Sequence, residues 1–214
     1  MRCIITGFEA QYGIKRTPSG ELAELWQSGA LEVPGVEVKS LVLPQLFSAH
    51  EILCTEIAAF KPNIVLMFGA TQKNDPVRLE RFAINIADST MGDNSKIPIR
   101  DSKILLNGPA AYESSLPCKF LADELTKVGV SSVASYHAGT HTCNCILYNV
   151  MHWLSNNNID HPVAAGFVHL SFPDSFGVVE DRHWGTEDFQ GVVNASLKLV
   201  ELTSQWYIST HKMT

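Results

Sequence analysis

Pro162-Val163-Ala164-Ala165-Gly166-Phe167-Val168-His169 is the stretch whose reading decides the fold. Apolar residues occupy both alternating faces of this run, so as a strand it is buried on both sides, the pattern of a parallel sheet covered by helices. Outward from it, Arg2 to Thr6, Val36 to Leu43 and Asn63 to Phe68, which ends at Gly69, read as further strands. Helical segments separate them. Glu21 to Gln27 follows the turn Pro18-Ser19-Gly20, Ala49 to Phe60 is amphipathic and stops at Lys61-Pro62, and Leu116 to Val128 ends at Gly129. A last helix starts near Thr186-Glu187-Asp188, with acids in its first turn. Strands alternating with helices predict a three-layer α/β/α fold around a mainly parallel, twisted central sheet. The polar segment Asp88 to Ser102 reads as an excursion or small hairpin. No repeat, linker or boundary interrupts the pattern, so residues 1–214 are expected to form a single domain.

Composition agrees and excludes some roles. A chain of 214 residues with 45% hydrophobic residues can bury one substantial core. The formal charge of −6 and the absence of any lysine or arginine run argue against a nucleic-acid partner. The apolar stretches are too short to span a bilayer, and the N-terminal one stops at Gly7, so neither a membrane partner nor a signal peptide is expected. Cys3, Cys54, Cys118, Cys143 and Cys145 are odd in number and lack disulfide-framework spacing. That suits a reducing, cytoplasmic location.

Cys143 is the residue that carries chemistry. Ser131 to Tyr136 reads as a short strand, Ala138-Gly139-Thr140 as a glycine loop, and the apolar run after Cys143 as a helix. A thiol at a helix start faces unpaired backbone N–H groups and the positive end of the dipole, which favour its thiolate. Cys143, Ile146, Leu147, Val150, Met151 and Leu154 also follow helical spacing, so taken alone the residue reads more readily as the first position of a buried stripe. Cys145, two positions along, points elsewhere. A cysteine nucleophile needs a histidine oriented by a third polar group. His169 emerges at the carboxyl end of its strand, where ligand crevices of open α/β sheets lie. Glu80, ahead of the apolar run from Phe82 to Ile86, is the candidate for the third.

At these residues the chain resembles a known family. Thr6-Gly7-Phe8-Glu9, Glu80-Arg81-Phe82-Ala83-Ile84-Asn85, Asp93-Asn94, Tyr112 through Pro117, Ala138-Gly139-Thr140 with Cys143-Asn144, and Gly166-Phe167-Val168-His169 together resemble pyroglutamyl peptidase type I, from about Ile4 to about Pro173. The resemblance implies a cofactor-free cytosolic cysteine peptidase that removes an N-terminal pyroglutamyl residue from a small peptide or acyl-amide substrate. It implies a triad of Cys143 as nucleophile, His169 as acid and base, and Glu80 as orienting group. It further implies a substrate-binding set of Phe8, Gln11, Tyr12, Ala70, Thr71, Thr90, His141 and Thr142, and a homo-oligomer, dimer or tetramer.

Departures from the family pattern are concentrated around the substrate. Ala10-Gln11-Tyr12-Gly13 stands where the family continues with Pro-Phe-Gly, so Gln11 replaces an aromatic wall of the lactam pocket. His141 replaces a second aromatic, Ala70-Thr71-Gln72-Lys73-Asn74 replaces a glycine-rich loop, and Thr90 stands where the family has an arginine near the reacting carbonyl. Lys73 and Arg78 are the nearby cations that would substitute for it. These changes predict a penalty on an ordinary lactam and a reward for an acyl group able to pair with Gln11 and His141. Two other readings stay open beside pyroglutamyl removal: the same triad acting on a more polar small acyl amide or lactam, and a catalytically silent relative serving as a binding or assembly module. No cofactor is inferred, since Thr6-Gly7-Phe8-Glu9 lacks the spacing of a phosphate loop. A zinc site from His137, His141 and Cys143 is disfavoured by the turn at Gly139.

Overall fold

The computed structural model describes residues 1–11, 16–73, 75–172 and 186–211. Six strands make one sheet in the order β2-β1-β3-β10-β4-β9. These are β1 (Arg2–Phe8), β2 (Glu37–Leu43), β3 (Ile64–Lys73), β4 (Val77–Glu80), β9 (Ser132–Ser135) and β10 (Ala164–Phe172). The first four in that order run parallel, as expected of a mainly parallel sheet.

Strand alternation sorts the core into two halves. Cys3, Ile5, Ile64, Leu66, Phe68, Val168 and Leu170 face helices α1 (Pro18–Gln27), α3 (Cys118–Lys127) and α5 (Thr186–His211). Ile4, Val65, Met67, Ala165 and Phe167 face α2 (His50–Phe60) and α4 (Thr142–Asn156). Both faces of the central strands are therefore packed, each fully buried Leu, Ile or Phe contributing about 1.5–3 kcal/mol of transfer free energy. Helix α1 begins three residues earlier than its apolar pattern suggests. Thr17 caps it by accepting from the Gly20 N–H, and Pro18 occupies the first turn, where its missing N–H costs nothing. Gly7 lets β1 meet that turn, because a Cβ there would lie 1.8 Å from the Ser19 carbonyl oxygen.

The sheet's exception is β4, which pairs antiparallel with β10. Three residues separate the end of β3 from the start of β4, far fewer than a parallel crossover needs, so the chain must reverse. Asp75 holds the reversal by accepting from Thr71 Oγ1 at 3.1 Å and from Arg78 Nη2 at 2.8 Å. The run after Glu80 does not continue as the same strand. It leaves the sheet to form β5 (Phe82–Ile84), paired with β8 (Ala111–Glu113). Within the segment from Asp88 to Ser102, β7 (Ile99–Ser102) pairs with β6 (Ala87–Ser89), giving the expected small hairpin.

Candidate functional site

Parity along the strands brings the three candidate residues to one face. His169 follows Phe167 by two positions and shares its side of the sheet, the side covered by α4. Glu80 lies directly opposite Phe167 in the β4–β10 register and points the same way. Glu80 and His169 are thus a diagonal cross-strand pair, within reach of long side chains. Glu80 Oε1 stands 2.7 Å from His169 Nδ1. An ionised carboxylate can only accept, so Nδ1 carries the proton and Nε2 is left for the chemistry.

Cys143 enters the same space from above. It lies in the first turn of α4, whose N-cap, His141, makes no side-chain capping bond. Its sulfur rests over Gly69 of β3, the register neighbour of His169, and is within hydrogen-bonding reach of the imidazole. Burial would depress the His169 pKa, but the charge and hydrogen bond of Cys143, together with the bond and charge of Glu80, overcome it and push the pKa up to about 9. His169 is therefore held as the imidazolium at neutral pH, with the Cys143 sulfur beside it. The stripe reading of α4 also holds in part: Ile146, Leu147 and Val150 are buried, and Cys143 packs on that cluster while staying partly open.

The other thiols are shielded. Cys54 and Cys145 are pushed up to about 12 and Cys118 to about 11, all chiefly by burial, and Cys3 is raised by burial as well. Iodoacetamide at neutral pH is therefore expected to label Cys143 before the other four, as read by mass spectrometry of the digested protein. Labelling of Cys145 or Cys118 at an equal rate would refute the thiolate assignment.

Gly69 makes the arrangement possible. A Cβ there would lie 2.7 Å from the Phe167 ring and 3.2 Å from Cys143 Sγ. Gly69→Ala is expected to push the sulfur off the imidazole and lower kcat by about 10²-fold with KM less affected, because sub-ångström misplacement of a nucleophile is costly. A kcat within twofold of the unmodified protein would show that the sulfur is not held there.

The proposed substrate-binding residues divide. Gln11, Thr90 and His141 line one cleft of about 480 Å³ with Asp88, Ser89, Met91 and Arg100. Phe8 is 3% exposed and packs on Phe167, the ring that in turn packs on His169. Ala70 is opposite Leu170 and shares its face, so its methyl points away from Cys143 and only its backbone can serve the cleft. The Thr71 hydroxyl is bonded to Asp75. Thr142 is buried, and its hydroxyl accepts from Gln45 Nε2 at 2.7 Å. Tyr12 lies outside the described residues.

Two expectations need correction. His141 does not offer a free polar edge: its Nε2 is 2.7 Å from the Gly92 carbonyl oxygen, its Nδ1 is 3.1 Å from Thr142 Oγ1, and its ring packs on Phe47. Arg78 does not stand in for the family arginine, because it is held by Asp75, and the Lys73 side chain lies outside the described set. The guanidinium that lines the cleft with Thr90 is Arg100, from β7. His137 is exposed and its Nδ1 accepts from the Gly139 N–H; among the described residues, no three His, Cys, Asp or Glu side chains could hold a metal.

Residues to which sequence reading gave no role tie the site together. Asn144 accepts from the Ile84 N–H and donates to the Ile84 and Ile86 carbonyls, fixing the start of α4 to the strand that follows Glu80. Gln45, 8% exposed, sits beyond the carboxyl end of β2 and is positioned by motif residues. Its N–H donates to Glu9 Oε1, its carbonyl accepts from the Asn94 N–H, and Asp93 Oδ2 accepts from the Phe47 N–H. The signal was a polar residue set between Pro44 and Leu46 just past the end of a strand.

A thiol at a helix start, facing a histidine paired to a buried glutamate above a mainly parallel sheet, has the form of a cysteine-type amide hydrolase. Comparison with known proteins narrows this. The family model for pyroglutamyl peptidase matches residues 1–187. A pyrrolidone-carboxylate peptidase of Brachyspira hyodysenteriae is 32% identical over 173 residues, covering 80% of this chain and 84% of the relative, and one of Yersinia pestis is 34% identical over 172 residues, covering 80% and 78%. The pyrrolidone carboxyl peptidase of Thermococcus litoralis superposes with a TM-score of 0.85 at 26% identity, covering 96% of this chain and 94% of the other. Pyroglutamyl peptidase I of Bacillus amyloliquefaciens superposes at 0.83 and 26% identity, covering 95% and 97%. The chain belongs to the pyroglutamyl peptidase family and is a cysteine-type omega peptidase. No helix among the described residues is long and apolar enough to cross a membrane.

Proposed function

We propose that this protein removes N-terminal pyroglutamyl residues from peptides, with Cys143, His169 and Glu80 as its triad. The observation that carries the proposal is the imidazole of His169, bonded to Glu80 at 2.7 Å through Nδ1 while its charge is sustained by Cys143. In the mechanism the Cys143 thiolate adds to the acyl carbon, and the carbonyl oxygen becomes an oxyanion facing the first-turn N–H groups of α4. The C–N bond then breaks as His169 Nε2 gives its proton to the leaving amine, and a thioester remains. Water, deprotonated by the now neutral His169, attacks the thioester and releases the acid and the thiolate. Glu80 keeps the ring in one tautomer throughout and balances the imidazolium.

Among the described residues all five cysteines are unpaired, which supports action in the reducing cytoplasm. The test is turnover of a panel of acyl anilides, with pyroglutamyl-anilide as the expected substrate. Turnover of a polar non-lactam acyl anilide alone would replace the substrate assignment. Absence of turnover across the panel, from protein whose Cys143 still alkylates, would identify a silent relative.

A further inference from the structure

Gln11, which lines the cleft with Thr90 and His141, and Gln45, which is bonded to it, end in two buried polar atoms with unused hydrogen-bonding capacity. Gln45 Nε2 donates to Gln11 Oε1 at 3.1 Å and to Thr142 Oγ1 at 2.7 Å. That consumes one end of each amide. The other ends, Gln45 Oε1 and Gln11 Nε2, are buried and have no partner among the described residues. One is an acceptor and the other a donor. Exchanging oxygen and nitrogen in both amides together leaves one donor and one acceptor again, so the complement does not depend on the assignment.

Buried polar groups are ordinarily satisfied, and a donor and an acceptor left without partners on a bonded pair of side chains at the wall of a cleft mark a place for a ligand group. The matching group carries an acceptor and a donor side by side on one edge. An amide in a small ring does this, because its N–H and C=O are held cis; an open-chain secondary amide is trans and points them apart. The site is firmly built. Glu9 and Asn94 hold the Gln45 backbone, Thr142 holds its side chain, and Thr142 is followed directly by Cys143. The His141 ring, with both nitrogens engaged, presents a wall beside the pair rather than a competing polar group.

We propose that Gln11 and Gln45 form a two-point clamp for the cis-amide edge of a cyclic acyl group, so that the lactam is read by side-chain amides. This rests on the reading of Cys143 as an acyl-accepting nucleophile. The clamp makes the ring amide a requirement: a carbocyclic acyl group of the same size buries both open atoms without pairing them.

The experiment compares kcat/KM for pyroglutamyl-anilide and cyclopentanecarbonyl-anilide in the unmodified protein, in Gln45→Met and in Gln11→Met. The unmodified protein is expected to favour the lactam by about 10²-fold or more. Each variant should shrink that ratio by about tenfold, mainly through the lactam's KM. Gln11 is only part buried, so Gln11→Met decides the matter if Gln45→Met fails to fold. In parallel, 2-pyrrolidone should slow alkylation of Cys143 at concentrations where cyclopentanone does not. An unchanged ratio in the folded variants, or equal protection by the two rings, overturns the clamp. If neither anilide turns over, the catalytic proposal fails, and the protection comparison alone decides whether the clamp binds a ring amide.

Discussion

Cys143→Ala is expected to unfold within about 1 kcal/mol of the unmodified protein and to lose turnover by roughly 10⁴ to 10⁶-fold. The thiol stands partly open at the edge of its cluster, so its loss creates little cavity. Its sulfur is the atom to which the acyl group would be transferred, and no neighbour can take its place: Cys145 is buried and raised to about 12. Cys145→Ala should therefore keep turnover, whatever it costs in packing. Steady-state rates and thermal midpoints of the two variants check both halves. Residual activity above about 1% in Cys143→Ala would give the chemistry to another group.

The second large effect separates the two partners of the thiol. His169→Ala removes the proton carrier and should cost at least 10³-fold in kcat, while Glu80→Gln should cost less, since an amide oxygen can still accept from Nδ1 but cannot balance the imidazolium. Equal losses would give Glu80 a larger part than orientation. The pH dependence follows from the raised histidine. Its pKa is about 9 in the folded protein against 6.5 ordinarily, so the stability it lends is fully present below about pH 6.5 and is lost as pH climbs through 9. Glu80→Gln should weaken this fall, because the carboxylate is one source of the elevation. Urea unfolding from pH 6 to pH 10 measures it, and parallel curves for the two proteins would contradict the coupling.

Much of the fold was legible because burial on both faces of a strand leaves an unmistakable pattern, and Pro162 to His169 and Asn63 to Phe68 carry it without interruption. The reversal at β4 was not legible in that pattern. It is imposed by a short link whose geometry depends on Asp75 holding Thr71 and Arg78, and such contacts leave no periodic trace. At the site, Cys143, His169 and Glu80 could be named from motif and placement, whereas their surroundings could not. His141 reads as a polar intrusion until its two partners, Gly92 and Thr142, are seen to consume it. Gln45 escaped notice because its meaning lies in contacts with residues 34 and 97 positions away.

The central place of β10 has a temporal consequence. This strand pairs with β3 at a separation of 100 residues, Ala164 beside Ile64, and with β4 on its other side. On a chain emerging from a ribosome, β1 to β9 and α4 are all synthesised before the strand that must slide between two of them. Until that strand arrives, Cys143 lacks the imidazole that the proposed mechanism sets beside it. In the proposed mechanism, chemical competence therefore waits for one late step, when insertion of a single strand closes the sheet and brings His169 to Cys143. Birth order along the chain thereby works as a safety catch on a peptidase.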